Sequence, residues 1–489
     1  MALSNSPQPV LSHALARHAP GAPALQFESS WTTYGQLRDA AAQAAAVAWH
    51  DWGVRPGDRV AWLGASHPAQ LALLFGLAHI GAILLPLNFR LALPEWRRLL
   101  DQCAPRVVVH DREWASAASE LASACGIAAH PCEAMRDPGA RQAPAHASPE
   151  APVLLVATSG TTGGPKAAVH TQANLLANMR IAATVQALTP ADTVLTVLPL
   201  FHVGGLCIQT LPALYAGARV ILHARFQPGD TLACIAADRP TLTLQVPATM
   251  KALVEHPRWS ATDLASLRAV WAGSSLIPAP LIAAFHARGV PVCNVYGATE
   301  TGPFSIALPP HQAMDHVGSC GWPAPEVEAR AGTVHGDAAE LLLRGPNVVQ
   351  RYWPDQPACD GEGWFATGDL AQQAPDGSWR IVGRVKELII SGGENIHPAE
   401  IEQVLAQHPA VAECAAFGLP DVRWGEIVAA AVVLREGAAA DEEDLAAHVR
   451  EKLARFKLPR RWFFVAQLPK TALGKVQRAA LAREFGQQD

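Results

Sequence analysis

The sequence contains few charged residues. Asp, Glu, Lys and Arg make up 17% of the 489 residues, compared with roughly 25% in an average globular protein. The 38 Lys and Arg against 43 Asp and Glu give a formal net charge of −5. Because no excess of positive charge is present to hold a phosphate backbone, nucleic acid is excluded as a partner. Half of the residues are hydrophobic, which excludes a disordered or fibrous protein and predicts large buried cores.

Closely spaced cysteines are also absent. None of the nine cysteines belongs to a C-x-x-C pair, and their number is odd. Zinc modules and disulfide frameworks need tighter spacing, so both are excluded. We therefore expect buried, free thiols in a reducing cytoplasmic environment.

No apolar run is long enough to cross a membrane. Residues 1–20 lack the continuous hydrophobic region of a signal peptide. Between residues 71 and 87 only His79 is polar, but Gly76, Gly81 and Pro86 interrupt this run, and a span needs about 20 residues. We predict that the run is a buried helix and strand, and that the chain has no membrane span.

The order of helical and extended patterns predicts an α/β fold in two parts. A helix expected at Tyr34–Ala48 and a strand at Arg59–Leu63 begin an alternation that is typical of helix-covered parallel sheets. Short strands and turns after Asp315 predict a β-rich subdomain within a large N-terminal domain, residues 1–384. Residues 385–489 have their own helix and strand patterns and are expected to form a small, mobile α+β lid.

A loop rich in glycine and hydroxyl residues follows the apolar strand at residues 153–156. It runs from Thr158 to Lys166 and reads TSGTTGGPK. The backbone N–H groups of such a loop can surround phosphate oxygens while its hydroxyls donate to them. A P-loop of the type G-x-x-x-x-G-K-[ST] is excluded, because Pro165 stands at the second glycine position and Ala167 follows the lysine. We predict a phosphate-binding loop of another kind.

Further motifs follow this loop in a fixed order along the chain. They are PLFHVGG at 199–205, NVYGATET at 294–301, WFATGDL at 364–370, GRVK at 383–386 with SGGEN at 391–395, and PKTALGK at 469–475. Together with the loop they resemble the motifs of the adenylate-forming superfamily, which comprises acyl-CoA synthetases, peptide-synthetase adenylation domains and beetle luciferases. Within it the chain is most similar to benzoate- and hydroxycinnamate-CoA ligases.

This resemblance implies a reaction in two halves. A carboxylic acid attacks the α-phosphate of ATP, pyrophosphate leaves, and the acyl group of the acyl-AMP then passes to the thiol of coenzyme A. The attacking carboxylate and the α-phosphate are both anionic, so the site must neutralise charge. The resemblance implies that Lys475 is the catalytic cation. Thr299, His202 and Glu300 complete the implied catalytic set, and Glu300 with Thr161 would hold Mg²⁺.

The resemblance also implies a nucleotide site. Tyr296 would offer its aromatic face to adenine, and Asn294 would meet the polar edge of the base. Asp369 would accept from both ribose hydroxyls, with Arg384 nearby. The set is completed by Gly297 and by the loop residues that would hold the phosphates, namely Thr158, Ser159, Gly160, Thr161, Thr162, Gly163 and Lys166.

In the second half of the implied reaction, the lid turns about a hinge at Lys386 and presents another face to the site. Gly392 and Gly393 would allow the pantetheine arm to approach closely. Trp424 and Phe456 match positions where aromatic residues flank the CoA nucleotide, although core packing would explain either residue equally well.

The residues expected around the acyl group are mostly apolar. None of them is Arg or Lys, so a second carboxylate would lack a partner and dicarboxylates are disfavoured. We expect a hydrophobic or aromatic acid, with medium-chain fatty acids as the alternative. The expected pocket residues are His202, Val203, Leu206, Cys207, Val246, Gly273, Ser274, Ala298, Phe304 and Ile306.

Two other functions stay open at this point. A stand-alone adenylation enzyme would load an acyl carrier protein rather than free CoA. A catalytically silent nucleotide-binding regulator would have lost Lys475, Glu300 or Asp369, and none of the three is lost. A homodimer is compatible with the sequence.

Overall fold

Helices and strands alternate through the first three hundred residues. The computed structural model describes residues 10–136, 139, 141–158, 166–273, 276–471 and 474–486. The strands in this part are β1 (Pro23–Phe27), β2 (Ser30–Thr33), β3 (Arg59–Leu63), β4 (Ile83–Leu87), β5 (Val107–His110), β6 (Ala128–Pro131), β7 (Pro152–Thr158), β8 (Lys166–Thr171), β9 (Thr193–Thr196), β10 (Arg219–Leu222), β11 (Leu242–Gln245), β12 (Ala269–Ala272) and β13 (Val292–Tyr296). The helices are α1 (Tyr34–His50), α2 (Pro68–His79), α3 (Leu93–Cys103), α4 (Ala115–Cys125), α5 (Gln172–Val185), α6 (Leu211–Ala216), α7 (Pro228–Asp238), α8 (Pro247–Val254) and α9 (Ala279–His286).

Local sequence explains where α1 begins. Thr33 Oγ1 accepts from the N–H of Gln36, and Gln36 Oε1 accepts from the N–H of Thr33. This reciprocal pair is a capping box, which satisfies two backbone donors that the first turn would otherwise leave unpaired. The helix therefore starts at the predicted residue, Tyr34, and ends two residues later than predicted.

The second half of the large domain is richer in strands. Its strands are β14 (Ile306–Ala307), β15 (Trp322–Pro323), β16 (Glu328–His335), β17 (Ala338–Arg344), β18 (Arg351–Tyr352), β19 (Gln356–Pro357), β20 (Phe365–Gln373) and β21 (Trp379–Arg384).

The lid contains β22 (Ile389–Ser391), β23 (Glu394–Ile396), α10 (Pro398–Leu405), β24 (Val411–Asp421), β25 (Gly425–Leu434), α11 (Glu442–Arg450), β26 (Arg461–Phe464) and α12 (Arg478–Phe485).

Four sheets are formed by the described strands. The first has the order β15-β14-β13-β12-β11-β9-β10-β1-β2, and the second has the order β19-β18-β8-β7-β4-β3-β5-β6. Strand pairs in the middle of both sheets are parallel, for example β11 with β12 and β3 with β4. Strands β16, β17, β20 and β21 form an antiparallel subdomain sheet, and β22 to β26 form the lid sheet. The predicted α/β class is therefore confirmed.

The apolar run between residues 71 and 87 is interior packing. Residues from Leu71 to Ala78 are buried on α2, and Ile83 to Leu87 are buried on β4 in the middle of the second sheet. Among the described residues, we find no helix that combines the length and apolar character needed to span a bilayer.

The lid has hydrophobic cores of its own on its sheet. One core includes Ile389, Ile401 and Val432, and the other includes Phe417 and Phe485. All members of both cores lie within residues 389–485. This part of the chain therefore buries apolar surface without help from the large domain.

Candidate active site

The buried carboxylate of Asp369 is the centre of a polar cluster. Asp369 lies opposite Arg384 in the register of β20 and β21, and Arg384 Nε donates to Asp369 Oδ1 at 2.6 Å. The phenol of Tyr296, at the end of β13, donates to Asp369 Oδ2 at 2.6 Å. Burial, followed by the charge of Asp369, raises the pKa of Tyr296 well above its ordinary value, so the phenol stays a donor. Three residues expected at the nucleotide thus contact one another.

The residues around Tyr296 explain the tight turn that follows it. A Cβ atom at Gly297 would collide with the carbonyl oxygen of Pro303, so only glycine fits there. Asn294, on the same strand as Tyr296, donates from Nδ2 to Cys320 Sγ at 3.3 Å. Thr299 then begins a 3₁₀ turn, Thr299–Thr301, that carries Glu300.

Glu300 is held by its backbone and by its side chain. Its carbonyl oxygen accepts from the N–H of Val349 at 2.8 Å, and its Oε1 accepts from the hydroxyl of Tyr352 at 2.9 Å. The ammonium of Lys166 lies 5.0 Å from the centre of the same Tyr352 ring. The turn that carries Glu300 and the strand that begins at Lys166 therefore meet at Tyr352, a residue that our reading of the sequence did not assign to the site.

The carboxylate of Glu300 fits a Mg²⁺ ion that is held mainly by the phosphates of a substrate. Within the described residues, Glu300 Oε2 accepts no hydrogen bond, and no group of three or more His, Cys, Asp and Glu residues could enclose a metal ion. Mg²⁺ is commonly held by one or two carboxylates together with substrate phosphates and water. A carboxylate oxygen that none of the described residues pairs suits that mode, and no all-protein cage is formed in this part of the chain.

Strands β7 and β8 flank the predicted phosphate loop in the sequence and pair with each other in antiparallel register. Thr158 ends β7 opposite Lys166 at the start of β8, and Thr158 Oγ1 donates to the carbonyl oxygen of Lys166 at 3.3 Å. The two ends of the loop are therefore adjacent. Its remaining predicted residues lie outside the described part of the chain: Ser159, Gly160, Thr161, Thr162 and Gly163.

Lys475 projects from a tight turn of the lid toward the large domain. The N–H of Thr471 donates to the carbonyl oxygen of Lys475 at 2.7 Å, and Gly474 has a φ of +81°. The residue is exposed to solvent, although neighbouring protein partly buries its ammonium. This burial, and then the charge of Arg384, lowers the pKa of Lys475, while the charges of Asp369, Glu387 and Glu300 oppose the change.

His202 of the large domain lies close enough to Lys475 to respond to its charge. Its Nδ1 accepts from the N–H of Gly204 at 3.0 Å, which leaves Nε2 to carry the proton of the neutral ring. Burial, and then the charge of Lys475, lowers the pKa of His202 to about 4. The lid lysine therefore lies near His202, near the Asp369 cluster and near Glu300 at the same time.

The apolar wall beside His202 is built on a π-helix, Gly204–Thr210. Buried Asn178 of α5 donates from Nδ2 to the carbonyl oxygen of Cys207 at 2.7 Å and accepts at Oδ1 from the N–H of Phe304 at 3.1 Å. It thereby ties the π-helix to the segment that follows Glu300. Of the expected pocket residues, Val203, Leu206, Cys207, Gly273, Phe304 and Ile306 are buried, Val246 and Ala298 are half-buried, and Ser274 lies outside the described residues.

A tryptophan that our reading of the sequence missed extends this wall. Trp271 is fully buried on β12, and its ring centre lies 5.4 Å from that of Phe304. Its position directly before the small residues Ala272 and Gly273 was the available signal. A Cβ atom at Gly273 would lie 2.5 Å from the carbonyl oxygen of Val295, so the backbone is closely packed there.

Trp424 and the two glycines predicted to receive the thiol lie together on the lid. Gly392 and Gly393 have φ values of +60° and +89°, and a Cβ atom at Gly392 would lie 2.7 Å from the Trp424 ring. The guanidinium groups of Arg423 and Arg460 lie 4.9 and 4.5 Å from the Trp424 ring centres. The group combines a flat aromatic surface with two positive charges.

Two other predicted lid residues lie apart from this group in sequence. Phe456 leaves 42% of its surface exposed on the lid. Lys386 lies in a 3₁₀ turn, Val385–Glu387, between the subdomain sheet and the lid sheet. Immediately after it, Glu387 Oε2 accepts from Arg478 Nη1 at 2.7 Å, which ties the end of this turn to α12.

Two sequence families match the chain. The family described as AMP-binding enzyme matches residues 12–353, and the one described as AMP-binding enzyme C-terminal domain matches residues 400–475. An indoleacetate–CoA ligase of Aromatoleum aromaticum is 40% identical over 493 residues, with 96% of each chain covered. A feruloyl-CoA synthase of an Amycolatopsis species is 38% identical over 488 residues, with 96% of this chain and 97% of that protein covered.

A solved structure extends the similarity to the fold. The anthranilate CoA ligase AuaEII in complex with anthranoyl-AMP superposes with a TM-score of 0.90 and 27% sequence identity. The match covers 99% of each chain.

Proposed function

The chain belongs to the AMP-binding enzyme family and is an acid–thiol ligase of the AMP-forming type, and from this we propose that it converts an aromatic carboxylic acid into its CoA thioester. The acid is first activated with ATP as acyl-AMP, with release of pyrophosphate. The acyl group then passes to the thiol of CoA. The three relatives described above are all named for aromatic acids, which supports this class of substrate.

The convergence of charged groups around Lys475 is the observation that carries this proposal. The lysine comes from the lid, whereas Arg384, Asp369, Glu300 and His202 come from the large domain. A positive group at this point can neutralise the incoming carboxylate and the α-phosphate in the transition state. We assign this role to Lys475, and we assign to Asp369, Tyr296 and the residues around them the role of holding adenine and ribose.

Mg²⁺ bound at Glu300 would neutralise charge on the phosphates of ATP. In this proposal Lys166, with the loop that precedes it, holds the β- and γ-phosphates. Tyr352 keeps the carboxylate of Glu300 oriented. His202 stays neutral beside the acid, so its Nε2–H can donate to a carboxylate oxygen without adding a second full charge beside Lys475.

For the thiol half, we propose that the lid turns about Lys386, the first domain ending at Arg384. The separate hydrophobic cores of residues 389–485 support movement as one body. Trp424, Phe456, Gly392 and Gly393 would then receive CoA, with the nucleotide against the aromatic rings.

The cysteines of the chain bear on its proposed location. All nine cysteines are free, which supports a reducing compartment and hence the cytoplasm as the proposed location. A homodimer is the proposed assembly, and light scattering on the purified protein tests it.

Pyrophosphate release measured over a panel of acids tests the proposed substrate class. The panel contains benzoates, hydroxycinnamates, indoleacetate, medium-chain fatty acids and malonate. Because the wall around His202 is apolar and includes Phe304 and Trp271, we expect aromatic acids to give at least about tenfold higher kcat/KM than fatty acids. Malonate should give no turnover, since no positive side chain is among the expected pocket residues.

Mass spectrometry of the products then identifies the acceptor. Formation of an aryl-CoA thioester supports the proposal. Absence of turnover with every aromatic acid, or transfer to a carrier protein but not to CoA, would contradict it.

A further inference from the structure

The segment from Asn347 to Tyr352 surrounds the turn that carries Glu300. Asn347 Nδ2 donates to the carbonyl oxygen of Thr301 at 2.6 Å, and the N–H of Val349 donates to the carbonyl oxygen of Glu300 at 2.8 Å. The Tyr352 hydroxyl then donates to Glu300 Oε1 at 2.9 Å. Backbone and side chain of the glutamate are therefore both fixed by residues that lie about fifty positions later in the chain.

Tyr352 is also fixed against the strand that begins at Lys166. It pairs with Ala168 of β8 in antiparallel register, and the N–H of the following residue, Trp353, donates to the carbonyl oxygen of Ala167 at 2.8 Å. This pairing places the Tyr352 ring 5.0 Å from the Lys166 ammonium. One side chain thus contacts both charged groups that flank the proposed phosphate site, one positive and one negative.

We propose that Tyr352 is a positioning residue for the ATP–Mg²⁺ complex, acting through Glu300 and Lys166. This inference rests on the proposed function. Its hydroxyl occupies Oε1 of Glu300, which would leave Oε2 for the cation. Its ring holds the Lys166 ammonium by a cation–π contact.

Two substitutions separate the two contacts. Tyr352→Phe keeps the ring near Lys166 and removes only the hydroxyl, whereas Tyr352→Leu removes both contacts. ATP binding is measured by calorimetry on the purified protein, once with Mg²⁺ and once with EDTA. For Tyr352→Phe we expect about tenfold weaker ATP binding with Mg²⁺, the effect of losing a hydrogen bond to a charged group, and unchanged binding with EDTA. Tyr352→Leu should also weaken binding in EDTA, by about threefold.

The control lies in the same hairpin. Asp355 forms an exposed ion pair with Arg351 at 3.1 Å, and Asp355→Asn should bind ATP like the wild type under both conditions. Thermal unfolding of each variant without ligand shows whether the hairpin still folds.

A double-mutant cycle with Glu300→Gln distinguishes a positioning role of Tyr352 from a purely structural role. If Tyr352 acts through Glu300, Tyr352→Phe should have no further effect on Mg²⁺-dependent ATP binding in the Glu300→Gln background. Additive effects, or equal weakening with Mg²⁺ and with EDTA, would overturn the inference. A wild-type protein that binds no ATP would instead overturn the proposed function itself.

Discussion

At the scale of single residues, the charge state of His202 is the most specific feature of the site. The pKa of this side chain is lowered to about 4 by burial and, secondarily, by Lys475. An ordinary histidine, with a pKa of about 6.5, changes charge between about pH 5 and 8. His202 stays neutral through that range and can serve only as a hydrogen-bonding group there.

This charge state gives a prediction for the pH profile of adenylation. Because the folded-state pKa lies below the ordinary value, His202 gains a proton only as the pH falls toward about 4. We expect no inflection near about pH 6.5 in kcat/KM for pyrophosphate release. His202→Asn should lower the rate without changing the shape of the profile. A wild-type inflection near neutrality that disappears in His202→Asn would contradict this account.

Residue identity alone predicts part of the candidate site. Asp369, Arg384 and Tyr296 belong to motifs with a recognisable order, and the structure brings their side chains into contact. Tyr352 carries no such local signal, and Trp271 is marked only by its position directly before the small residues Ala272 and Gly273. The position of Tyr352 depends on the pairing of β18 with β8, whose residues are about 180 positions apart in the chain, and no pattern within a short window encodes that pairing.

At the scale of elements, the π-helix Gly204–Thr210 is the feature that the sequence analysis did not predict. π-helical turns are rare and are frequent at functional sites. Here several backbone carbonyls of the helix accept from buried side chains, including Asn178 Nδ2 at Cys207 and Gln186 Nε2 at Ile208. Regular elements such as α1 and β3 lie where predicted because their period and caps are local, whereas this helix depends on partners from α5 and from the residue that follows it.

The Asn178 contacts predict a coupled effect on stability and on acid binding. Asn178→Leu would leave the Cys207 carbonyl and the Phe304 N–H unpaired in the interior, at a cost of about 1 to 3 kcal/mol each in the free energy of unfolding. Because the π-helix forms the acyl wall, we expect KM for the acid to rise by more than KM for ATP.

Urea unfolding and steady-state kinetics check this prediction. Thr184→Val on the exposed face of α5 is the matched control and should change the free energy of unfolding by less than about 0.5 kcal/mol. Equal changes of both KM values in Asn178→Leu would show that the residue only stabilises the fold.

At the scale of the whole molecule, some of the contacts between lid and large domain are polar and weak. Lys251 Nζ donates to the carbonyl oxygen of Ala412 at 3.3 Å, and exposed Arg435 lies 3.5 Å from exposed Glu255. Exposed ion pairs contribute about 0 to 1 kcal/mol each. Such contacts are compatible with the proposed turning of the lid away from the arrangement in which Lys475 lies near Asp369, Arg384 and Glu300.

The division into a large domain of helix-covered sheets with a β-rich subdomain, and a lid, follows from the order of the patterns along the sequence, because each pattern is local. The relative placement of the two parts does not follow from those patterns. It depends on weak contacts between distant segments, such as residue 251 with residue 412, and these have no periodic signal in either segment.

The central claim is that Lys475 acts in adenylation and is not needed once acyl-AMP has formed. The two half-reactions of Lys475→Ala, measured separately in single-turnover experiments, test it most directly, with Lys470→Ala from the same lid loop as the control. We predict that acyl-AMP formation falls by about 10²- to 10³-fold, the effect of removing one transition-state charge partner. Thioester formation from preformed acyl-AMP should keep most of its rate, and Lys470→Ala should resemble the wild type in both halves. Equal loss of both half-reactions in Lys475→Ala would contradict the account.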